Sequence, residues 1–133
     1  MISHVDDMPG APSVLIVEDE PLLLMLAAET MRDAGYAVFE AGEGKAALSI
    51  LEKNPAIDLL LSDIRMPGMS GYQLAEAGLA LRPDLKVLFM TGYTQDPVPR
   101  QMTAAGVRVL YKPFNIDRLP AVAGEVLNRK PES

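Results

Sequence analysis

Residues 14–24 read Val14-Leu15-Ile16-Val17-Glu18-Asp19-Glu20-Pro21-Leu22-Leu23-Leu24, and this stretch decides the fold. The first four are apolar on both alternating faces, the pattern of a parallel strand covered on two sides. Three consecutive acids end the run. Pro21 suits the first turn of a helix, where its missing N–H costs nothing, and acids at that end favour the helix dipole. Leu23, Leu26, Ala27, Thr30, Met31 and Ala34 then recur at helical spacing, with Gly35 fitting the C-terminal end, so the spacing predicts a helix over 21–34. Acids placed before Pro21 commonly serve as helix N-caps, which is the plain reading of Glu18 and Asp19 taken singly.

The same alternation continues along the chain. Strands are predicted at about Ala37 to Glu40, Ile57 to Ser62, Val87 to Met90 and Val107 to Tyr111. Helices are predicted near Lys45 to Lys53, Tyr72 to Leu81 and Ile116 to Asn128, with the loop Met66-Pro67-Gly68-Met69-Ser70-Gly71 supplying turn residues. A further helix, about Gln95 to Ala105, carries Pro97 and Pro99 in its first half. Each proline inside a helix costs about 3 kcal/mol, so this helix is expected to begin near Pro99 and be short. Strands alternating with helices imply right-handed crossovers and a doubly wound α/β fold: a five-stranded parallel sheet with helices on both faces. The strand order 2-1-3-4-5 rests on analogy with flavodoxin-like folds.

The chain has 133 residues, length for one domain, expected over 13–129 between a flexible tail at 1–12 and a short tail at 130–133. Apolar residues at 49% and charged residues at 23% match folded soluble proteins. The balance of 12 basic against 18 acidic side chains, a formal net of −6, disfavours nucleic acid and anionic membrane surfaces as partners. With no cysteine and only His4, thiolate zinc sites, cysteine nucleophiles and histidine catalysis are excluded. No apolar stretch suits a membrane span and the N-terminus lacks a signal pattern, so a cytoplasmic protein is expected. What remains for chemistry is oxygen and a few lysines.

In an open parallel sheet the binding crevice lies beyond the carboxyl ends of the strands. Glu18 and Asp19 end the first strand, Asp63 the third, Thr91 the fourth and Lys112 the fifth. Carboxylates about 4 Å apart repel by roughly 4 kcal/mol at an effective dielectric near 20, so three together call for a cation. Hard oxygen donors suit Mg²⁺ better than zinc or copper. A lysine and a hydroxyl facing that cation suit a phosphoryl group, and a carboxylate can itself be the nucleophile in phosphoryl transfer. Taken singly, Asp63 reads equally as a turn residue, Thr91 as a strand-end hydroxyl and Lys112 as a surface charge; their coincidence favours a site.

Four motifs in order then resemble one family. Val17-Glu18-Asp19-Glu20-Pro21, Ser62-Asp63-Ile64-Arg65-Met66-Pro67-Gly68-Met69-Ser70-Gly71, Met90-Thr91-Gly92 and Tyr111-Lys112-Pro113-Phe114 resemble the receiver domain of two-component response regulators over residues 13 to 129. The resemblance implies that Asp63 accepts a phosphoryl group from phosphohistidine on a histidine kinase or histidine phosphotransfer protein. It implies that Glu18, Asp19, Asp63 and the backbone carbonyl of Arg65 hold Mg²⁺. Lys112 would contact the phosphoryl oxygens, Thr91 would act as the switch, and the Lys112-Pro113 peptide would be cis. It further implies self-phosphorylation and slow dephosphorylation rather than turnover of an external substrate, with output through a downstream protein or onward phosphotransfer. Val109 stands where many receivers carry a switch aromatic. Phe89-Met90-Thr91-Gly92-Tyr93 is similar to the Phe-Ala-Thr-Gly-aromatic signature of a receiver subgroup rich in single-domain regulators, which makes Tyr93 and Tyr111 the switch candidates. The competing reading is a constitutive protein-binding module with a structural acidic crevice, or a phosphate sink.

Other motifs fail on their residues. Gly42-Glu43-Gly44-Lys45 lacks a P-loop's opening glycine and closing hydroxyl, having Phe39 and Ala46 instead, and reads as a turn with a helix start. A haloacid-dehalogenase-type phosphatase needs a second acid where Arg65 stands. A flavodoxin would seat a phosphate where Glu18 and Asp19 repel it. Leu22 and Met25 sit at the margin of the first helix's core stripe, either as plain core margin or as part of a docking patch for a helical phosphodonor.

Overall fold

The computed structural model describes residues 11–92, 102, 107–112 and 114–128. Its strands are β1 (Ser13–Val17), β2 (Ala37–Ala41), β3 (Leu59–Asp63), β4 (Lys86–Thr91) and β5 (Arg108–Tyr111). All neighbouring pairs run parallel, in the order β2-β1-β3-β4-β5. The helices are α1 (Pro21–Asp33), α2 (Gly44–Lys53), α3 (Gly71–Leu81) and α4 (Leu119–Leu127). The segment containing Pro97, Pro99 and Tyr93, and the Lys112-Pro113 peptide, lie outside the described residues.

The two-residue period of β1 divides the core in two. Leu15 and Val17 join Leu60, Phe89, Ala47, Leu51 and Leu74 on the face covered by α2 and α3. Val14 and Ile16 join Leu61, Met90, Ala28, Met31 and Val122 on the face covered by α1 and α4. Both faces are therefore dry, and each fully buried Leu or Ile contributes about 1.5–3 kcal/mol. This accounts for the unbroken apolar runs, since a strand covered on two sides has no polar face to alternate.

Several boundaries and the core face of one helix differ from the sequence reading. β3 begins at Leu59 rather than Ile57, because Ile57 N–H turns back to the Asn54 carbonyl. The last helix opens with a 3₁₀ turn over Ile116–Arg118, capped by the Asn115 side chain, and becomes α-helical at Leu119. In α1, Leu26 is 41% exposed, while Leu24 packs against the core with Ala27, Ala28 and Met31. Five successive apolar residues, Leu22 to Leu26, give no phase, so the core face follows the helix's angle on the sheet.

One helix is fastened directly to the end of β3. Ser70 caps α3 through a reciprocal box: its hydroxyl accepts the Gln73 N–H at 3.2 Å and its own N–H donates to Gln73 Oε1 at 2.9 Å. Gly71 follows, donating its N–H to the Ile64 carbonyl at 2.8 Å. A Cβ at Gly71 would lie 2.2 Å from the Asp63 carbonyl oxygen and 2.9 Å from Ile64 Cα. Both atoms are backbone and cannot swing aside. Gly71→Ala is therefore expected to lose about 1–3 kcal/mol of stability in urea denaturation, as overpacked sites do; stability within about 0.5 kcal/mol of wild type would contradict this close approach.

Candidate functional site

Parallel strands bring their carboxyl ends to one rim, and the order β1-β3-β4-β5 sets which side chains meet there. Glu18 follows β1, Asp63 ends β3, Thr91 ends β4 and Lys112 follows β5. Carboxylate oxygens of Glu18, Asp19 and Asp63 all lie within 4.8 Å of one another. They line a crevice of ≈ 560 Å³ together with Glu20, Leu23, Arg65, Gly92 and Lys112.

Glu18 is 2% exposed and Asp63 7%, whereas Asp19 faces solvent. Lys112 reaches across the end of β4 and donates to both buried acids, with Nζ 3.3 Å from Glu18 Oε1 and 3.1 Å from Asp63 Oδ2. The other oxygens meet backbone: Glu18 Oε2 accepts the Glu20 N–H at 3.2 Å, and Asp63 Oδ1 accepts the Ile64 N–H at 2.7 Å. Thr91 is buried, and its carbonyl accepts the Lys112 N–H at 2.6 Å, tying the lysine to the end of β4. Tyr111 is the register partner of Thr91 and is exposed.

Of the three acids before Pro21, Glu18 and Asp19 line the crevice and do not cap α1. Glu20 caps α1, its Oε1 accepting the Leu23 N–H at 3.0 Å, and this releases Glu18 and Asp19 to the crevice. Sequence reasoning missed Glu20 in this role, and missed Leu23 as a crevice residue. Arg65 also lines the crevice.

Burial raises the Glu18 pKa above the ordinary glutamate value, the Asp63 charge adds to this, and Lys112 only partly offsets it. Burial alone would lower Lys112, but its hydrogen bond to Asp63 and the charges of Asp63 and Glu18 outweigh that, leaving it raised. Four acidic side chains line the crevice against two basic ones, so the donor set is rich in carboxylate oxygen and short of positive charge. Such a set fits a hard divalent cation.

Residues 14–123 match the sequence profile of the response regulator receiver domain. The chain belongs to that family. It is 34% identical over 131 residues to the sensor kinase CckA of Brucella abortus, covering 97% of this chain but 14% of that kinase. The response regulator receiver protein CpdR of the same organism is 34% identical over 104 residues, 77% of this chain and 86% of that protein. Among solved structures, the receiver domain from the hybrid histidine kinase CckA superposes with a TM-score of 0.75 at 36% identity, covering 87% of this chain and 99% of that one. The receiver fold accounts for the observed strand order. No helix among the described residues is long and apolar enough to cross a membrane.

Lys112→Met isolates the charge balance of this receiver. Removing the ammonium leaves two nearly buried carboxylates facing each other; because Lys112 is itself partly exposed, the expected loss at about pH 7.5 is near 1–3 kcal/mol. A carboxylate whose folded pKa is raised contributes stability that is present below its unfolded pKa and lost as pH rises through the folded one. Without the lysine Glu18 rises further, so the variant's deficit should narrow as pH falls to about 5.5. Urea denaturation at the two pH values measures this, and a deficit that widens on acidification would contradict it.

Proposed function

We propose that this receiver takes a phosphoryl group onto Asp63 from a phosphohistidine on a histidine kinase or histidine phosphotransfer protein. The observation that carries the reading is Asp63 in contact with both Lys112, at 3.1 Å, and the Glu18–Asp19 cluster at the mouth of an open crevice. An oxygen of the Asp63 carboxylate forms the new bond to phosphorus while the phosphorus–nitrogen bond to the donor imidazole breaks, and the imidazole nitrogen keeps that electron pair. Bound by Glu18, Asp19, Asp63 and the Arg65 carbonyl, Mg²⁺ would supply charge neutralisation for the phosphoryl oxygens. Lys112 would exchange its bond to Asp63 Oδ2 for one to an incoming phosphoryl oxygen, and Thr91, buried at the end of β4, would be the switch hydroxyl.

The proposed unit is residues 13–129, between flanks 1–12 and 130–133. It works in the cytoplasm, and its output is a change of binding surface read by a downstream protein or an onward phosphotransfer, with Tyr93 and Tyr111 as the aromatic switch candidates. Incubation with a small acyl-phosphate donor tests the chemistry. Wild type should take up covalent phosphate with Mg²⁺ and far less after chelation, while Asp63→Ala takes up none. Label retained by the variant would remove Asp63 from this role, and a wild type that never labels would favour the constitutive binding module.

The donor docks, in this proposal, on the N-terminal half of α1. Leu22, Met25 and Leu26 are 58%, 46% and 41% exposed at helical spacing, adjoining Leu23 on the crevice wall. An apolar strip beside a reaction mouth suits a helical partner. Leu22→Glu with Met25→Glu should slow transfer from a phosphohistidine protein by on the order of tenfold, equivalent to ~1.4 kcal/mol, while uptake from the small donor stays unchanged. Equal slowing with both donors would place the effect in the crevice instead.

A further inference from the structure

The turn from β1 to α1 carries three carboxylates in a row, and each takes a different direction. Glu18 turns inward to Lys112, and Asp19 contributes to the cluster with Asp63. Glu20 turns back onto its own helix, with Oε1 on the Leu23 N–H at 3.0 Å. The same residue donates its N–H to Glu18 Oε2 at 3.2 Å and accepts the Leu24 N–H on its carbonyl at 3.0 Å. A single residue thus closes three hydrogen bonds at the junction, one of them on a carboxylate of the cluster.

Glutamate is outside the set of preferred N-caps, which are shorter and lose less rotamer freedom. Pro21 removes the first helical N–H, so the side-chain cap bears on Leu23. In that position the Glu20 carboxylate sits at the positive end of the helix dipole. Turned toward Lys112, away from the cap it makes at the crevice wall, it would bring a fourth carboxylate onto the Glu18–Asp19–Asp63 cluster, which is already short of cations.

We infer that Glu20 is a positioning residue for the metal centre: by capping α1 it fixes the turn that presents Glu18 and Asp19, and it acts through the cap rather than as a ligand. The inference rests on the Mg²⁺ reading above. Its consequence is that the cap and the metal affinity rise and fall together.

Calorimetric titration of the full chain with Mg²⁺ tests it on wild type, Glu20→Ala, Glu20→Ser and Asp19→Asn, with amide exchange at Leu23 as an independent readout. Glu20→Ala should weaken Mg²⁺ binding by about tenfold, as loss of a ligand-orienting partner does, and should expose the Leu23 amide. Glu20→Ser restores a good cap without a charge and should return binding to within about twofold of wild type with Leu23 protected. Serine binding as weakly as alanine while Leu23 stays protected would overturn the inference in favour of a direct charge or ligand role. Alanine binding as tightly as wild type would overturn it outright. Absence of Mg²⁺ binding by wild type would instead remove the metal centre, and the inference with it; binding by wild type that is lost in Asp19→Asn separates that failure from the others.

Discussion

Two nearly buried carboxylates, Glu18 and Asp63, sit at the ends of adjacent strands, and the rest of the site answers the charge problem they create. Their proximity is forced by topology, since β1 and β3 are neighbours and both acids occupy the carboxyl rim. Like charges at such separations in partly dry surroundings are unfavourable by several kcal/mol unless a counter-charge is near. Lys112 supplies one from β5, spanning the end of β4, and bonds both acids. A single ammonium cannot balance the Glu18–Asp19–Asp63 cluster, and that surplus is what a bound divalent cation would offset.

Asp63 is held as much by backbone as by charge. Asp63 Oδ1 takes the Ile64 N–H, the Ile64 carbonyl takes the Gly71 N–H, and the buried Ser62 hydroxyl donates to the Asp63 carbonyl at 2.8 Å. The end of β3 and the start of α3 thus form one block, locked by the Ser70–Gln73 box. Strain at Asp63 has a short backbone route into α3, and the same loop presses Met69 against Gly44 at the start of α2, where an added Cβ would lie 2.7 Å from Met69 Cβ. The face carrying α2 and α3 is therefore mechanically closer to Asp63 than the face carrying α1.

Much of this was legible in the sequence because buried parallel strands leave unbroken apolar runs and site residues fall where those runs stop. Val14 to Val17 and Leu59 to Leu61 announced both their strands and the acids that follow. Three consecutive acids, by contrast, are chemically alike, and only backbone geometry decides that Glu20 caps the helix while Glu18 turns inward. The run Leu22 to Leu26 concealed the helix phase for a related reason: pattern recognition needs polar residues to mark the outer face, and here there are none. Gly71 was visible as a turn glycine, but its actual constraint is an approach to Asp63, set by tertiary packing.

The wide spacing of the site along the chain bears on how the molecule is made. Lys112 lies 94 positions from Glu18 and 49 from Asp63. During synthesis both acids emerge long before their ammonium, and β5 joins the sheet at its edge, through β4 alone. Closing so long a loop is entropically costly and slow relative to local helix formation. Until that edge strand docks, β1 and β3 hold an uncompensated pair of carboxylates. The nascent chain then depends on water, or on a divalent ion captured early, to tolerate its own acidic cluster.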